Sequence, residues 1–264
     1  MASSKLVFPF FLFMSLFIFH SDAAPYNYTK VNVSLYYESL CPFCGNFIVN
    51  QLGKVFETDL ISIVNLRLIP WGNAHRVTNI TWTCQHGPDE CLINTVEACA
   101  VNLWPDPKVH FKLIQCIERL TLGGKQNLWR SCLGEQHLNQ ELMNHCYNST
   151  TGNDLQLRAA YETERLQPPH RFVPWVIVNN KTLEQDYQNY ITHICKAYTG
   201  PNRPGTCSLP PEIFPSNIEP SVSQVCYTRK TGNSFAPQEE KAGSAKILGR
   251  KKTQSWFMSW IHKN

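Results

Sequence analysis

Cysteine constrains this chain more than any other residue. There are eleven in 264 residues, and two stand as Cys41-Pro42-Phe43-Cys44 where one periodicity gives way to another. Val31 to Tyr37 alternates and is rich in β-branched and aromatic side chains, which predicts a strand. Phe47 to Leu60 carries apolar residues at helical spacing. With Pro42 at the first helical position, where its missing N–H costs nothing, Cys41 becomes the N-cap and Cys44 the N3 residue. The two sulfurs then lie about one turn apart and can close a bond. Unpaired amides and the helix dipole favour negative charge at Cys41. Cys41 is therefore the expected attacking thiolate of a thiol–disulfide centre, and Cys44 the shielded, resolving thiol. The competing readings are a structural bridge or half of a zinc site. A zinc site needs a second Cys/His pair, and Cys84 and Cys91 are poorly spaced to supply it. No metal and no other cofactor is expected.

The compartment follows from the first residues. Lys5 precedes an apolar run from Leu6 to Phe19, followed by Ser21-Asp22-Ala23-Ala24. This is the pattern of a secretory signal peptide, with the cut placed after Ala23. The run is about 14 residues against the ~20 that a spanning helix needs, and no later segment reads as a membrane span. In an oxidising lumen most cysteines should pair. Five Asn-x-Ser/Thr triplets, at Asn27, Asn32, Asn79, Asn148 and Asn180, are candidate glycosylation sites; Asn32 falls within the first predicted strand. The formal charge of +4 is concentrated at the C-terminal end, where residues 229–264 hold eight Lys/Arg against two Glu. Residues 24–228 are left slightly acidic, so the body carries no signature for nucleic acid.

Hydrophobic residues make up 43% of the chain, enough for a real core. Ile61 to Ile69 reads as a second strand closed by Pro70, which makes residues 31–70 a βαβ unit with parallel strands. Helices are predicted for Pro88–Trp104, Pro107–Leu120, Glu135–Tyr147 and Asp154–Leu166, punctuated by Gly123-Gly124, Gly134 and Asn148–Gly152. One strand follows over Phe172–Asn180, then a helix over Glu184–Tyr198. The order fits an α/β, thioredoxin-like fold with a helical insertion (about 84–166) between the βαβ unit and the strand bearing Pro174. In enzymes of that fold a cis proline faces the Cys-x-x-Cys. Pro174 is the candidate, with Val173 offering its main chain to an extended substrate. Pro210-Pro211, Pro215 and Pro220 introduce a polar, basic stretch without periodicity, so residues 208–264 are expected to form a flexible tail.

A third constellation runs from Cys84 to Cys99. Gly87-Pro88 opens a helix whose first turn holds Asp89 and Glu90, matching the dipole. Cys91 and Cys99 lie about 12 Å apart along it, beyond the ~7 Å limit for a disulfide. From spacing alone His86 reads as structural. The pattern Cys84-Gln85-His86-Gly87-x-x-Glu90-Cys91-x-x-Asn94-x-x-x-x-Cys99 resembles the signature of the gamma-interferon-inducible lysosomal thiol reductase family. Cys41-Pro42-Phe43-Cys44, Gly72-Asn73-Ala74, Leu166–His170 and Val173-Pro174-Trp175-Val176 are also similar to that family, and the likeness covers about residues 31–207. It implies reduction of disulfides in partly unfolded proteins within an acidic compartment, with Cys41 and Cys44 as the catalytic pair. The signature marks the family and assigns no catalytic role.

The implied partners are disulfide-containing proteins and a small or protein thiol as reductant, and the implied location is a lysosome, a vacuole or the exterior. With residues 24–207 as the reductase domain, nine cysteines remain beyond the catalytic pair. Cys195–Cys207 and Cys132–Cys146 are the expected local bridges. Cys84, Cys91, Cys99 and Cys116 would pair among themselves, leaving Cys226 over. Because no Lys, Arg or His lies between Cys41 and Cys44, the helix end must depress the Cys41 pKa, with His86 or His170 assisting if folded nearby. The alternatives are an oxidase or isomerase of the endoplasmic reticulum, which the same residues would serve, and a non-catalytic cysteine-rich binding module.

Overall fold

A computed structural model describes residues 30–78, 80–210 and 224–228. The expected leader (1–23), Asn27, Asn79 and most of the expected tail lie outside the described residues. Strand β1 (Val31–Tyr37) runs parallel to β2 (Val64–Pro70), and antiparallel to β6 (Trp175–Val178), which pairs with β7 (Lys181–Thr182). The order β2-β1-β6-β7 puts β1 at the centre. A central strand is covered on both faces, and Leu35, Tyr36 and Tyr37 are accordingly all buried although the strand begins by alternating. Parallel β1 and β2 joined through helix, then an antiparallel hairpin, make this a thioredoxin-like α/β sheet.

Helix α1 (Pro42–Asn46) leaves β1 through a turn and continues in a π-type stretch, Phe47–Leu52, and α2 (Lys54–Glu57). Phe47, Ile48, Leu52 and Val55 bury the face that the apolar spacing predicts. The second strand starts at Val64 rather than Ile61, because Asp59–Ser62 form a 3-10 turn capped by the Thr58 hydroxyl. Beyond β2, a short ribbon of β3 (His75–Arg76) and β4 (Trp82–Thr83) leads into the helical insertion.

The insertion contains α3 (Pro88–Leu103), α4 (Pro107–Leu122), α5 (Arg130–Glu135), α6 (Gln140–Tyr147) and α7 (Thr150–Glu164). Its starts follow local chemistry. The Asp106 carboxylate accepts from Lys108 N–H ahead of Pro107, Asn139 caps α6, and Ser149 caps α7. The helix expected over Glu135–Tyr147 starts only at Gln140, with Asn139 as its cap; Glu135 instead ends the separate α5, and His137 takes a positive φ of 53° between the two.

The strand expected over Phe172–Asn180 is also interrupted. β5 (Phe172–Val173) and β6 flank Pro174, which follows a cis peptide bond; Gln167–Pro168 is cis as well. Pro174 has no N–H to give a ladder, so pairing breaks there. Asn179 and Asn180, both at positive φ, turn the chain into β7. The last helix is α8 (Tyr190–Ala197), preceded by 3-10 turns over Glu184–Asn189.

Disulfide connectivity departs from expectation. Cys195–Cys207 forms as expected, and Cys84 bonds Cys91. Cys132 joins Cys116 rather than Cys146, and Cys146 joins Cys99, so these two bridges tie helices of the insertion across space instead of closing one local loop. Cys226 is not left over: it bonds Cys41, with Cα atoms 6.2 Å apart. Its neighbours form β8 (Cys226–Tyr227), paired antiparallel with β5. The expectation of a flexible tail therefore fails for residues 224–228, which are docked and bonded. Cys44 is the one described cysteine outside a disulfide.

Candidate active site

Cys41 is the N-cap of α1, with extended backbone angles and Pro42 behind it at the first helical position. Its carbonyl accepts from Gly45 N–H at 3.0 Å, and its own N–H donates to the Glu38 carbonyl at 3.3 Å. Cys44 stands at N3, wholly buried. The structure thus puts both cysteines where the spacing predicts, but the bond between them is absent. The Cys41 sulfur is joined to Cys226, and both cysteines of that bridge are buried. Burial pushes the Cys44 thiol well above its usual range; the nearby Glu38 carboxyl adds to the rise and a backbone hydrogen bond from Glu38 opposes it.

Glu38 is a site residue that the sequence reading missed. Its side chain is buried, and one carboxyl oxygen lies within 4.8 Å of the sulfurs of both Cys41 and Cys226. Burial, reinforced by the charge of Glu90, raises its carboxyl to about 8, against hydrogen bonds from Asn73 and the proximity of His86. The local geometry explains how a carboxyl comes to lie there. Gly72 has φ +57°, and a Cβ on it would fall 2.6 Å from the Cβ and Oε2 of Glu38. Only glycine lets the loop after β2 fold over Glu38. The next residue, Asn73, then donates its N–H to Glu38 Oε2 at 2.8 Å. The available signal was the Gly72-Asn73 pair, whose partner in space could not be read from the chain.

The Cys84–Cys99 constellation builds the adjoining wall. Gly87 at φ 92° turns the chain into α3, and Cys84–Cys91 ties that turn to the first helical turn. His86 Nδ1 sits 2.5 Å from Glu90 Oε2 and 3.6 Å from Glu38 Oε1. Asn94 accepts from Ser39 N–H at 2.9 Å and so fixes the turn that leads to Cys41. Gln85 Oε1 accepts from Asn73 Nδ2 at 2.6 Å. The structural role read for His86 thus comes with a place beside the Glu38 carboxyl. Donor atoms of Glu38, His86 and Glu90 lie within 4.8 Å of one another and form one described group that could hold a cation; the same carboxyl oxygens are engaged by Asn73 and by His86. Burial lowers the pKa of His170, with a backbone hydrogen bond to Gly72 acting the other way.

A second buried acid cluster lies behind Cys44. Tyr37, Glu97 and Glu118 are fully buried, and both carboxyls are raised by burial, Glu118 also by the charge of Glu97. A Cβ on Gly45 would approach Glu118 Oε2 to 3.0 Å, which places that carboxyl against the helix turn after Cys44.

Val173 and Pro174 are both buried, and Val173 stands opposite Cys226 in the β5–β8 register. The strand before the proline therefore comes to Cys41 through the residue that Cys41 is bonded to. Of the candidate glycosylation sites, Asn32, Asn148 and Asn180 are exposed.

Residues 32–136 match the family described as gamma interferon inducible lysosomal thiol reductase (GILT). A "Gamma-interferon-responsive lysosomal thiol protein" of Arabidopsis thaliana is 40% identical over 234 residues, covering 87% of this chain and 97% of that protein. The chain belongs to the GILT family. A second GILT relative, the "Gamma-interferon-inducible lysosomal thiol reductase" of Mus musculus, is 37% identical over 204 residues, covering 75% of this chain and 76% of that one. Among solved structures, reduced DsbG, a disulfide bond oxidoreductase of Mycobacterium tuberculosis, aligns over 68% of this chain and 82% of that chain, with a TM-score of 0.48 and 19% identity. The GILT signature residues thereby acquire physical tasks: they close the wall beside Glu38 and hold the turn from which Cys41 projects.

Proposed function

We propose that the protein reduces disulfide bonds of partly unfolded proteins in an acidic lumen, with Cys41 as nucleophile and Cys44 as resolving thiol. By family the chain is an oxidoreductase of the thiol–disulfide class. The observation that carries the residue assignment is the state of the pair. Cys41, at the N-cap of α1, is engaged in a disulfide with a residue outside the Cys-x-x-Cys, while Cys44 is a free thiol at N3. That is the covalent arrangement of a mixed disulfide awaiting resolution.

The electron bookkeeping is simple. Cys41 thiolate attacks one sulfur of a substrate disulfide; the other substrate sulfur leaves as a thiolate and takes a proton. Cys44 thiolate then attacks Cys41 Sγ, the mixed disulfide breaks, and the second substrate thiol departs. The oxidised Cys41–Cys44 pair regains two electrons from an external thiol. Glu38 is placed to handle the protons. Raised to about 8, its carboxyl is protonated in an acidic lumen and can donate to a departing sulfur within 4.8 Å. Its carboxylate form would accept the proton of the buried Cys44 thiol. Val173 offers main chain on the Cys41 side, and Pro174 ends the ladder there, so a substrate strand is stopped with a cysteine opposite Cys41. Residues 24–207 form the reductase domain and 208–264 an extension. The described disulfides fit an oxidising compartment, and no helix of the described residues is long and apolar enough to cross a membrane.

The test is turnover of a denatured disulfide protein with a small thiol as reductant, at acidic and neutral pH. Cys41→Ser should abolish turnover. Turnover that survives that change, or that occurs at neutral pH alone, would overturn the proposal.

A further inference from the structure

The strand opposite Val173 belongs to this chain itself. Val173 pairs with Cys226 and Phe172 with Tyr227, and Thr228 N–H donates to the Arg171 carbonyl at 3.0 Å. From the other side, Asn73 Nδ2 donates to the Cys226 carbonyl at 3.0 Å and Gln85 Nε2 to the Tyr227 carbonyl at 3.3 Å. Tyr187 Oη donates to the Gln224 carbonyl at 2.9 Å. The Cys226 sulfur is bonded to Cys41. Val225 and Cys226 are buried, whereas Tyr227 is 52% exposed. Most of the polar grip on residues 224–228 thus falls on main-chain atoms. Main-chain pairing is how a groove accepts extended peptides of many sequences.

We propose that residues 224–228 are an intramolecular pseudosubstrate, covalently held in the groove that a protein substrate takes. Asn73 and Gln85 are then the side chains that hold a substrate's main chain at the two positions from the attacked cysteine onward. The full chain is latent while Cys226 caps Cys41. This inference rests on the reductase reading and deepens it. Release is an exchange without net electron transfer. Cys44 thiolate attacks Cys41 Sγ, the Cys41–Cys226 bond breaks, the Cys41–Cys44 bond forms, and Cys226 leaves as a thiolate and is protonated. A small thiol then reduces the Cys41–Cys44 pair at the cost of two thiol equivalents. Because Cys226 stays tethered, its effective concentration at Cys41 is on the order of millimolar, and it competes with dilute substrates until its segment is displaced or removed.

The test uses the full, oxidised chain and its Cys226→Ser variant, with reduced glutathione as reductant and a denatured disulfide protein as substrate. The unmodified chain should show a lag, and the variant should start at once with an initial rate on the order of tenfold higher or more. Non-reducing peptide mapping should recover the Cys41–Cys226 linkage. Gln85→Ala in the Cys226→Ser background should raise KM for the protein substrate severalfold with kcat little changed, a split that a purely structural role for Gln85 would not produce. Equal lag and rate for the two chains, or a map lacking the Cys41–Cys226 peptide, overturns the pseudosubstrate alone. A Cys226→Ser chain that remains folded by circular dichroism and reduces no disulfide overturns the reductase reading with it.

Discussion

Replacing Glu38 by Gln should change how stability depends on pH. In the folded chain the Glu38 carboxyl titrates at about 8 rather than at 4.5. The folded state therefore holds this proton more tightly than the unfolded chain does. Stability from this group is fully present below about 4.5 and is lost as pH rises through about 8. Each pKa unit corresponds to about 1.4 kcal/mol, so the loss is at most about 5 kcal/mol across the interval, and its slope in between is about 1.4 kcal/mol per pH unit. Glu97 and Glu118, raised by burial, act with the same sign. His110 and His170 act against them: burial lowers both, so their contribution fades as pH falls through about 6.5. The carboxyls outweigh the histidines, because their shifts are larger and they are more deeply buried. Urea unfolding of the disulfide-intact chain, measured at intervals from about pH 5 to about pH 7, should show stability falling as pH rises. In Glu38→Gln the fall should be shallower by about 1.4 kcal/mol per pH unit. Identical slopes in the two proteins would refute the burial of a titrating Glu38, and with it the source of the proton assigned to the departing sulfur.

Two further perturbations act on the same wall. Gly72→Ala forces a side chain into a left-handed position with Glu38 only 2.6 Å away, and should cost about 2–4 kcal/mol; denaturant midpoints check this, and disulfide-reducing activity should fall with them. Joint replacement of Cys84 and Cys91 by Ser removes a short loop closure worth about 2–3 kcal/mol. It should also lower turnover, since Gln85 and His86 lie within the loop it closes, and comparison of unfolding with single-turnover rates separates the two effects.

The local parts of the architecture were legible in the sequence. Alternation in Val31–Tyr37, the proline after Cys41 and the helical spacing beyond Cys44 each depend on near neighbours, and the structure places them as expected. Pro174 was legible as the cis proline because its place in the order of elements singled it out, whereas the break it makes in the strand expected over Phe172–Asn180 was not. What failed depends on distance along the chain. Cys99 reaches Cys146 and Cys116 reaches Cys132 because helices of the insertion pack face to face, which spacing does not encode. Cys226 lay in a stretch without periodicity, and only its pairing with β5 gives it a partner. Nothing in the sequence around Glu38 marks it as a site residue. Its burial needs Gly72, 34 positions later, to pass directly over it.

If Cys41 attacks and Cys44 resolves, a covalent intermediate must pass through Cys41. The direct measurement is capture of the covalent intermediate on the Cys44→Ser, Cys226→Ser double variant, incubated with an unfolded disulfide protein and then mapped by mass spectrometry without reduction. A stable adduct joining Cys41 to a substrate cysteine is expected. An adduct at another cysteine, or none from a folded variant, would contradict Cys41 as the attacking thiol.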